Sequence, residues 1–358
     1  MDNNHLVLAL AQAFKGTLTA TEVAAAYQAA TRAEGVEAVV LLGSDGGDGL
    51  LEALSHRVNR ETRHTVKDAT GSPILARAGW LDHKTVVIES SLVCGLRLLS
   101  VKDRNPFRTS TRGLGELIQA VAEAGAELVY VGLGGSATMD GGLGMARAWG
   151  WSPRDAAGRP LRHGGGWLRQ LDTLEPGRPP AVDLIGLVDV QSPLYGPEGA
   201  WVFAAQKGAS SDDAAALDAG VRRLAAVIGD WGLEWAERAG AGAAGGLGFG
   251  ILAFGGGRLA PGARWVLEGS GFAEALPEAR LVVTGEGGFD ATSMRGKLAG
   301  EVISAAAALG KPVGLLAPTA VDVPEGVLVE SGGGHWDAAE LERRARSVVQ
   351  RLLRLLSA

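Results

Sequence analysis

The most constraining feature of this chain is a local unit that recurs along it. An apolar run of strand length leads into a polar, glycine-bearing loop, and a helical stretch follows. HLVLALA (5–11) opens the first unit, followed by QAFKGTL and a Thr19-Ala20-Thr21-Glu22 capping box ahead of an Ala-rich helix closing at Gly35. VEAVVLL (Val36–Leu42) opens the second and runs into GSDGGDG and a helix near Leu50–Val58. Strands apolar at every position have both faces buried, the situation of a parallel sheet covered by helices.

The far end repeats the pattern with strand ARLVVTG (Ala279–Gly285), loop EGGFDATSMRGK, helix Leu298–Leu309, strand KPVGLLAP and an Arg/Leu-periodic helix from His335 onward. The middle differs. ETRHTVKDA, ILARAGW and KTVVIES read as short antiparallel strands around a turn at Thr70-Gly71-Ser72-Pro73. A helix near Arg112–Ala124, the strand AELVYVGL, the loop GGSATMDGG and a helix through Trp149 come next. The strand VDLIGLVD (Val182–Asp189) and helices about Asp212–Val227 and Trp231–Arg238 complete it. The expected architecture is α/β with two domains. Residues 1–60 plus 270–358 form a discontinuous Rossmann-like domain, a parallel sheet with helices on both faces. Residues 61–269 form an inserted mixed α/β domain, and the active site is expected in the cleft between the two.

Composition narrows the functional classes. A length of 358 residues suits about two domains, and 46% hydrophobic with 21% charged residues excludes wholesale disorder. A net charge of −6 without basic blocks argues against nucleic acid as a partner. The single cysteine, Cys94, can form neither an intrachain disulfide nor a Cys-based zinc site. The N-terminal residues lack a basic segment, and the longest uncharged stretch, AGAGAAGGLGFGILAFGGG (239–257), is too rich in glycine to favour a bilayer. The expectation is a cytoplasmic protein without membrane partner, monomer or homodimer. Of 54 glycines, 22 fall in the four segments 43–49, 132–144, 240–257 and 285–288, with no G-x-y period.

Three strands of the proposed first domain end in loops that carry charge beside glycine: AFKG (13–16), SDGGDG (44–49) and GEGGFD (285–290). In an open α/β sheet, ligands bind outside the carboxyl ends of the strands, so these loops could converge. They bring Lys15, Asp45, Asp48, Glu286 and Asp290, with Lys297 just beyond. Carboxylates suit Mg²⁺, lysines neutralise phosphate oxygens, and glycines let backbone N–H groups approach an anion. Asp-Gly and Lys-Gly are also ordinary turn pairs. Only seven lysines stand against 27 arginines, and Lys15, Lys207 and Lys297 each touch a glycine. In the middle domain, Gly134, Gly135, Ser136 and Thr138 lie between a strand and a helix, as an anion cradle or a tight turn would. Asp189 ends a buried strand and is a candidate general base, or a turn cap. Gly240-Ala-Gly242-Ala-Ala-Gly245 matches G-x-G-x-x-G but follows a helical stretch, which argues against a nicotinamide site.

Taken in order, these motifs resemble type I glycerate kinases over nearly the whole chain. The pieces are AFKGTLTATEVA (13–24), SDGGDGLLEAL (44–54), RNPFRTSTRGLGELI (104–118), GLGGSATMDGGLGM (132–145), DVQSPLYGPEGAWVFAAQKGAS (189–210), GAGAAGGLGFGILAF (240–254) and TGEGGFDATSMRGK (284–297). The resemblance implies an ATP- and Mg²⁺-dependent kinase that phosphorylates a hydroxyl of glycerate, 2-phosphoglycerate being the usual bacterial product. Kinases of another small hydroxy acid, or a non-catalytic sugar-acid or nucleotide binder, are the alternatives. The assignment gives catalytic roles to Asp189, Lys15 and Lys297, nucleotide binding to Gly134, Gly135, Ser136, Thr138 and Lys207, substrate binding to Asp45, Gly46, Gly47 and Asp290, and metal to Asp45 and Asp290. The sequence departs from the family pattern at Ala11-Gln12-Ala13 in place of Pro-Asp-Ser, and at Ser44 and Asp48 in place of Ala and Glu. It also has Met139 for Asn, Gly288 for Arg and Phe289 for Ile.

Overall fold

Residues 6–14 and 16–357 are described by a computed structural model. The chain divides into two compact units, one of Met1–His56 with Pro261–Ala358, the other of Arg57–Ala260.

The discontinuous unit holds a five-stranded sheet in the order Leu328–Glu330, Val313–Leu316, Leu281–Gly285, Val7–Ala11, Ala38–Leu42. Every pairing is parallel: Val7 lies opposite Leu281 on one side and Ala38 on the other. Alternation along the central strand divides the core. Val7, Ala9 and Ala11 join Val23, Tyr27, Leu341 and Val348 of helices Ala20–Ala33 and Ala338–Ser357. Leu8 and Leu10 join Leu267, Val302 and Ile303 of helices Gly262–Gly269 and Leu298–Ala308 on the opposite face. Helix Ala20–Ala33 begins at a reciprocal cap: the Glu22 amide donates to the Thr19 hydroxyl at 3.2 Å, and the Thr19 amide donates to the Glu22 carboxylate at 2.8 Å. From Val7–Ala11 the chain steps one way to Ala38–Leu42, and after Leu281–Gly285 it steps the other way. The boundary between those two central strands is the topological switch point of the sheet.

The Arg57–Ala260 unit carries a six-stranded sheet in the order Arg258–Pro261, Asp183–Val188, Leu128–Gly132, Thr85–Glu89, Pro73–Trp80, Arg60–Lys67. KTVVIES is antiparallel to Pro73–Trp80, as the sequence suggests, yet it pairs parallel with Leu128–Gly132, placing Glu89 opposite Gly132. The sheet therefore changes sense at that strand, and Glu89, Gly132 and Val188 close its parallel part along one edge.

The glycine-rich segment is helical over Ala243–Ala253, interrupted at Ala244, Gly245 and Gly246 with φ of 53°, 74° and 87°. Glycine weakens a helix, but here the missing side chains allow backbone to meet backbone. A Cβ on Gly245 would sit 1.9 Å from the Thr138 carbonyl oxygen, and one on Gly250 would sit 2.7 Å from Cα of Gly142. The helix after GSDGGDG is confined to Leu50–Ala53, and Leu328–Glu330 is a strand that the sequence pattern did not mark. Among the described residues no helix is long and apolar enough to cross a membrane.

Candidate active site

In the discontinuous unit the switch point carries a cavity of about 150 Å³, lined by Gln12, Ala13, Asp45, Glu286, Gly287, Gly288 and Lys297. Each wall residue follows from the topology. Gln12 and Glu286 are the first residues past adjacent central strands, Asp45 belongs to the loop after Ala38–Leu42, and Lys297 immediately precedes helix Leu298–Ala308. Gln12 is buried, and its side-chain amide donates to the Gly285 carbonyl oxygen at 3.0 Å. The Gly47 amide donates to Asp45 Oδ1 at 3.1 Å and the Gly46 amide to Ser44 Oγ at 3.2 Å, folding SDGGDG into a tight turn with Asp45 only 8% exposed. Gly46 and Gly47 are buried and form the frame behind Asp45 rather than the cavity wall. Asp48 Oδ1 is buried without a hydrogen-bond partner among the described residues.

Asp290 is placed differently from Asp45. Its Oδ1 accepts from the Thr292 amide at 2.7 Å and the Thr292 hydroxyl at 2.5 Å, and Lys297 Nζ lies 4.0 Å away. The Thr292 hydroxyl, followed by its amide and by the charge of Lys297, holds this carboxyl below the ordinary aspartate range, although burial opposes it. Asp290 is half exposed and off the cavity wall, where Glu286 stands with Asp45 instead. Phe289, next to it, is buried, and its amide donates to the Thr319 carbonyl at 2.8 Å. This pins the GEGGFD loop to the loop after Val313–Leu316, a partner that sequence motifs did not reveal. Lys15 lies outside the described residues.

In the other unit, the loop after Leu128–Gly132 is held from several sides. Lys207 is buried, and its Nζ donates to Ser136 Oγ at 3.0 Å and to the Thr138 carbonyl at 2.7 Å. Thr109 Oγ1 donates to the Ala137 carbonyl at 2.7 Å, and the Gly141 amide donates to the Gly245 carbonyl at 3.2 Å. Asp140 accepts from the amides of Thr111, Gly142 and Gly144 and from the Thr111 hydroxyl at 2.8–3.2 Å. Burial pushes the Asp140 carboxyl up while these donors pull it down. Burial also lowers Lys207 to about 8, partly offset by Cys94 and Asp140. Of the residues expected to cradle phosphate, Ser136, Thr138 and Lys207 thus face inward, while Gly134 is half-buried and Gly135 exposed. Met139 is fully buried with Ala200, Ala204 and Leu217. Asp189 is half-buried immediately past Val188, on the edge where Gly134 follows the neighbouring strand. Glu89 closes the next strand on the same edge, 4% exposed, and accepts from Ser91 Oγ at 2.8 Å. Sequence reading passed over it because nothing in KTVVIES marks its last acid.

The G-x-G-x-x-G match follows the helix Asp230–Ala236 instead of a strand, so it lacks the context of a dinucleotide fingerprint. Its last glycine, Gly245, packs on Thr138 as described above, while Gly242 lies against the Pro193 carbonyl and Gly240 against Val188 and Leu259.

A parallel sheet whose switch point gathers carboxylates, an ammonium group and bare glycine backbone belongs to the α/β enzymes that handle small anionic metabolites. Comparison with known proteins sharpens this class. Residues 7–333 match the model of the glycerate kinase family. The chain is 39% identical over 310 residues to a glycerate kinase of Bacillus subtilis (strain 168), covering 84% of this chain and 81% of that protein. It is 37% identical over 310 residues to a glycerate 2-kinase of Escherichia coli (strain K12), with the same coverage of 84% and 81%. The crystal structure of a candidate glycerate kinase 2 from Salmonella typhimurium LT2 superposes with a TM-score of 0.78 at 32% identity, covering 99% of this chain and 100% of that one. The chain belongs to the glycerate kinase family.

Proposed function

We propose that this protein transfers the γ-phosphoryl group of ATP to the 2-hydroxyl of glycerate. The observation that carries the reading is the switch-point cavity, where Lys297 shares one small volume with Asp45, Glu286 and the side-chain-free backbone of Gly287 and Gly288. A glycerate carboxylate is matched there by the Lys297 ammonium and by backbone N–H groups that no side chain shields. Asp290, 4.0 Å from Lys297, orients that ammonium.

Among the described residues there is no cluster of three His, Cys, Asp or Glu side chains suited to a metal. Mg²⁺ in phosphoryl transfer is commonly held by one or two carboxylates together with substrate phosphates, so the Asp45 and Glu286 pair suits it. When bound, the ion would neutralise charge on the transferring group. Gly134 and Gly135 are the open part of their loop and supply backbone donors to phosphate, with Ser136, Thr138 and Lys207 holding the loop in shape. On the Arg57–Ala260 unit, half-buried Asp189 supplies a carboxylate suited to act as general base toward a substrate hydroxyl.

The test is release of ADP from Mg-ATP in the presence of D-glycerate and a panel of small hydroxy acids, with the product identified by phosphorus NMR. The reading expects 2-phosphoglycerate. Product phosphorylated at the 3-hydroxyl would overturn the position, and a rate with glycerate no higher than without acceptor would overturn the activity.

A further inference from the structure

The Arg57–Ala260 unit holds a second cavity, of about 280 Å³, whose walls include Asn105, Phe107, Arg108, Trp167, Gly208 and Asp213. We propose that it receives the base and ribose of the nucleotide, with the phosphates leading from it toward Gly134 and Gly135. This inference rests on the kinase reading above and adds a location for the donor.

The walls have the chemistry of a nucleoside site. Phe107 and Trp167 offer aromatic surface to a flat base. Phe107 is fixed against backbone, since a Cβ on Gly166 would come within 2.1 Å of its ring, and the Gly166 amide donates to the Phe107 carbonyl at 3.3 Å. Arg162 already lies over the Trp167 ring at 4.7 Å, stiffening that wall. Asn105 uses Oδ1 to accept from the Phe107 amide at 3.0 Å, which leaves its NH₂ group as a donor for a ring nitrogen. Asp213 accepts from the Ser210 amide through Oδ2 at 2.9 Å and offers its other oxygen to a ribose hydroxyl.

The cationic groups fit the rest of the ligand. Arg108 is exposed and makes no ion pair among the described residues, and Arg104 Nε is buried without a hydrogen-bond partner among them. A volume of about 280 Å³ lies at the small end of ligand pockets, so a triphosphate must extend past the rim. The rim points the way. Arg108 precedes Thr109, which holds the Ala137 carbonyl, and Gly208 follows Lys207, which holds Ser136 and Thr138. Both walls are therefore one residue from contacts to the loop that opens at Gly134 and Gly135.

The experiment is photolabelling of the full-length protein with 8-azido-ATP, followed by peptide mapping, alongside steady-state kinetics of Trp167→Leu, Trp167→Phe and Arg108→Gln. Adducts within 104–108, 166–168 or 208–213 are expected. The KM for ATP should rise about tenfold or more in Trp167→Leu and Arg108→Gln, with KM for glycerate little changed and Trp167→Phe close to the parent. Adducts confined to residues 286–297, or an unchanged KM for ATP in both variants, would overturn the inference and leave glycerate phosphorylation standing. Labelling needs no turnover, so it decides the location even where glycerate proves not to be the acceptor.

Discussion

The side-chain amide of Gln12 donates to the carbonyl oxygen of Gly285 at 3.0 Å, joining the carboxyl ends of two neighbouring strands that stand 273 residues apart in the chain. The bond is buried, and Gln12 lines the switch-point cavity. Gln12→Ala leaves that carbonyl unsatisfied and should lower the unfolding free energy by about 1–2 kcal/mol in urea titration. KM for glycerate should rise at the same time, because the Gly285–Gly288 backbone loses its anchor. A variant with unchanged stability and KM would show that the bond does not hold the cavity in shape.

Asp189→Asn keeps size and shape but cannot accept a proton. Turnover should fall by about 10²–10⁴-fold with KM for glycerate nearly constant. Full turnover in this variant would remove Asp189 from the reaction.

Lys207 makes stability rise with pH above neutrality. Burial lowers it to about 8 in the native chain, against 10.5 for an ordinary lysine. Below pH 8 both native and unfolded chains are protonated, and the buried charge opposes folding at full strength. Between pH 8 and 10.5 the unfolded chain keeps a proton that the native chain has lost, so this group's contribution to stability rises with pH. Measured against Lys207→Met, the parent protein should gain stability between pH 7 and pH 10. A constant difference would mean that the ammonium does not titrate in that window.

Gly245→Ala combines a φ of 74° with a Cβ 1.9 Å from the Thr138 oxygen. The substitution should cost about 3 kcal/mol or more and reduce the yield of folded protein. Ala244, at a φ of 53°, should respond in the opposite direction: Ala244→Gly relieves left-handed strain and stabilises by about 1 kcal/mol in thermal unfolding.

Cys94 is buried, and burial raises its thiol to about 12. A thiolate reagent at pH 8 should leave the native protein unlabelled and react once per chain after denaturation. Rapid native labelling would indicate local opening around Ser90–Cys94.

The strands were legible because their burial is total. Val7–Ala11 and Leu281–Gly285 are apolar at nearly every position, and no other periodicity competes with that signal. The carboxyl-end loops were legible for the same reason, since the topology of a parallel sheet determines where they gather. Contacts made only in three dimensions were hidden. Lys207 beside Gly208 reads as a loop lysine, yet it is buried because Ser136 and Thr138 supply its acceptors. Glu286 rather than Asp290 shares the cavity with Asp45, because the Thr292 turn draws Asp290 aside. The glycine-rich segment reads as loop by propensity but folds as helix, because the missing Cβ atoms allow a closeness of packing that no local scale registers.

The central strand Val7–Ala11 also imposes an order of events on the ribosome. It gains Ala38–Leu42 soon after synthesis, but its other neighbour, Leu281–Gly285, emerges only after the whole of Arg57–Ala260. At ordinary elongation rates that interval is on the order of tens of seconds, long compared with the folding of a typical domain. The nascent chain therefore passes through a stage in which the intervening unit can be complete while Val7, Leu8 and Leu10 still lack half their cover. A strand made before the whole of the intervening unit is among the last to be enclosed, and the vulnerable interval for this protein lies in its birth rather than in its working life.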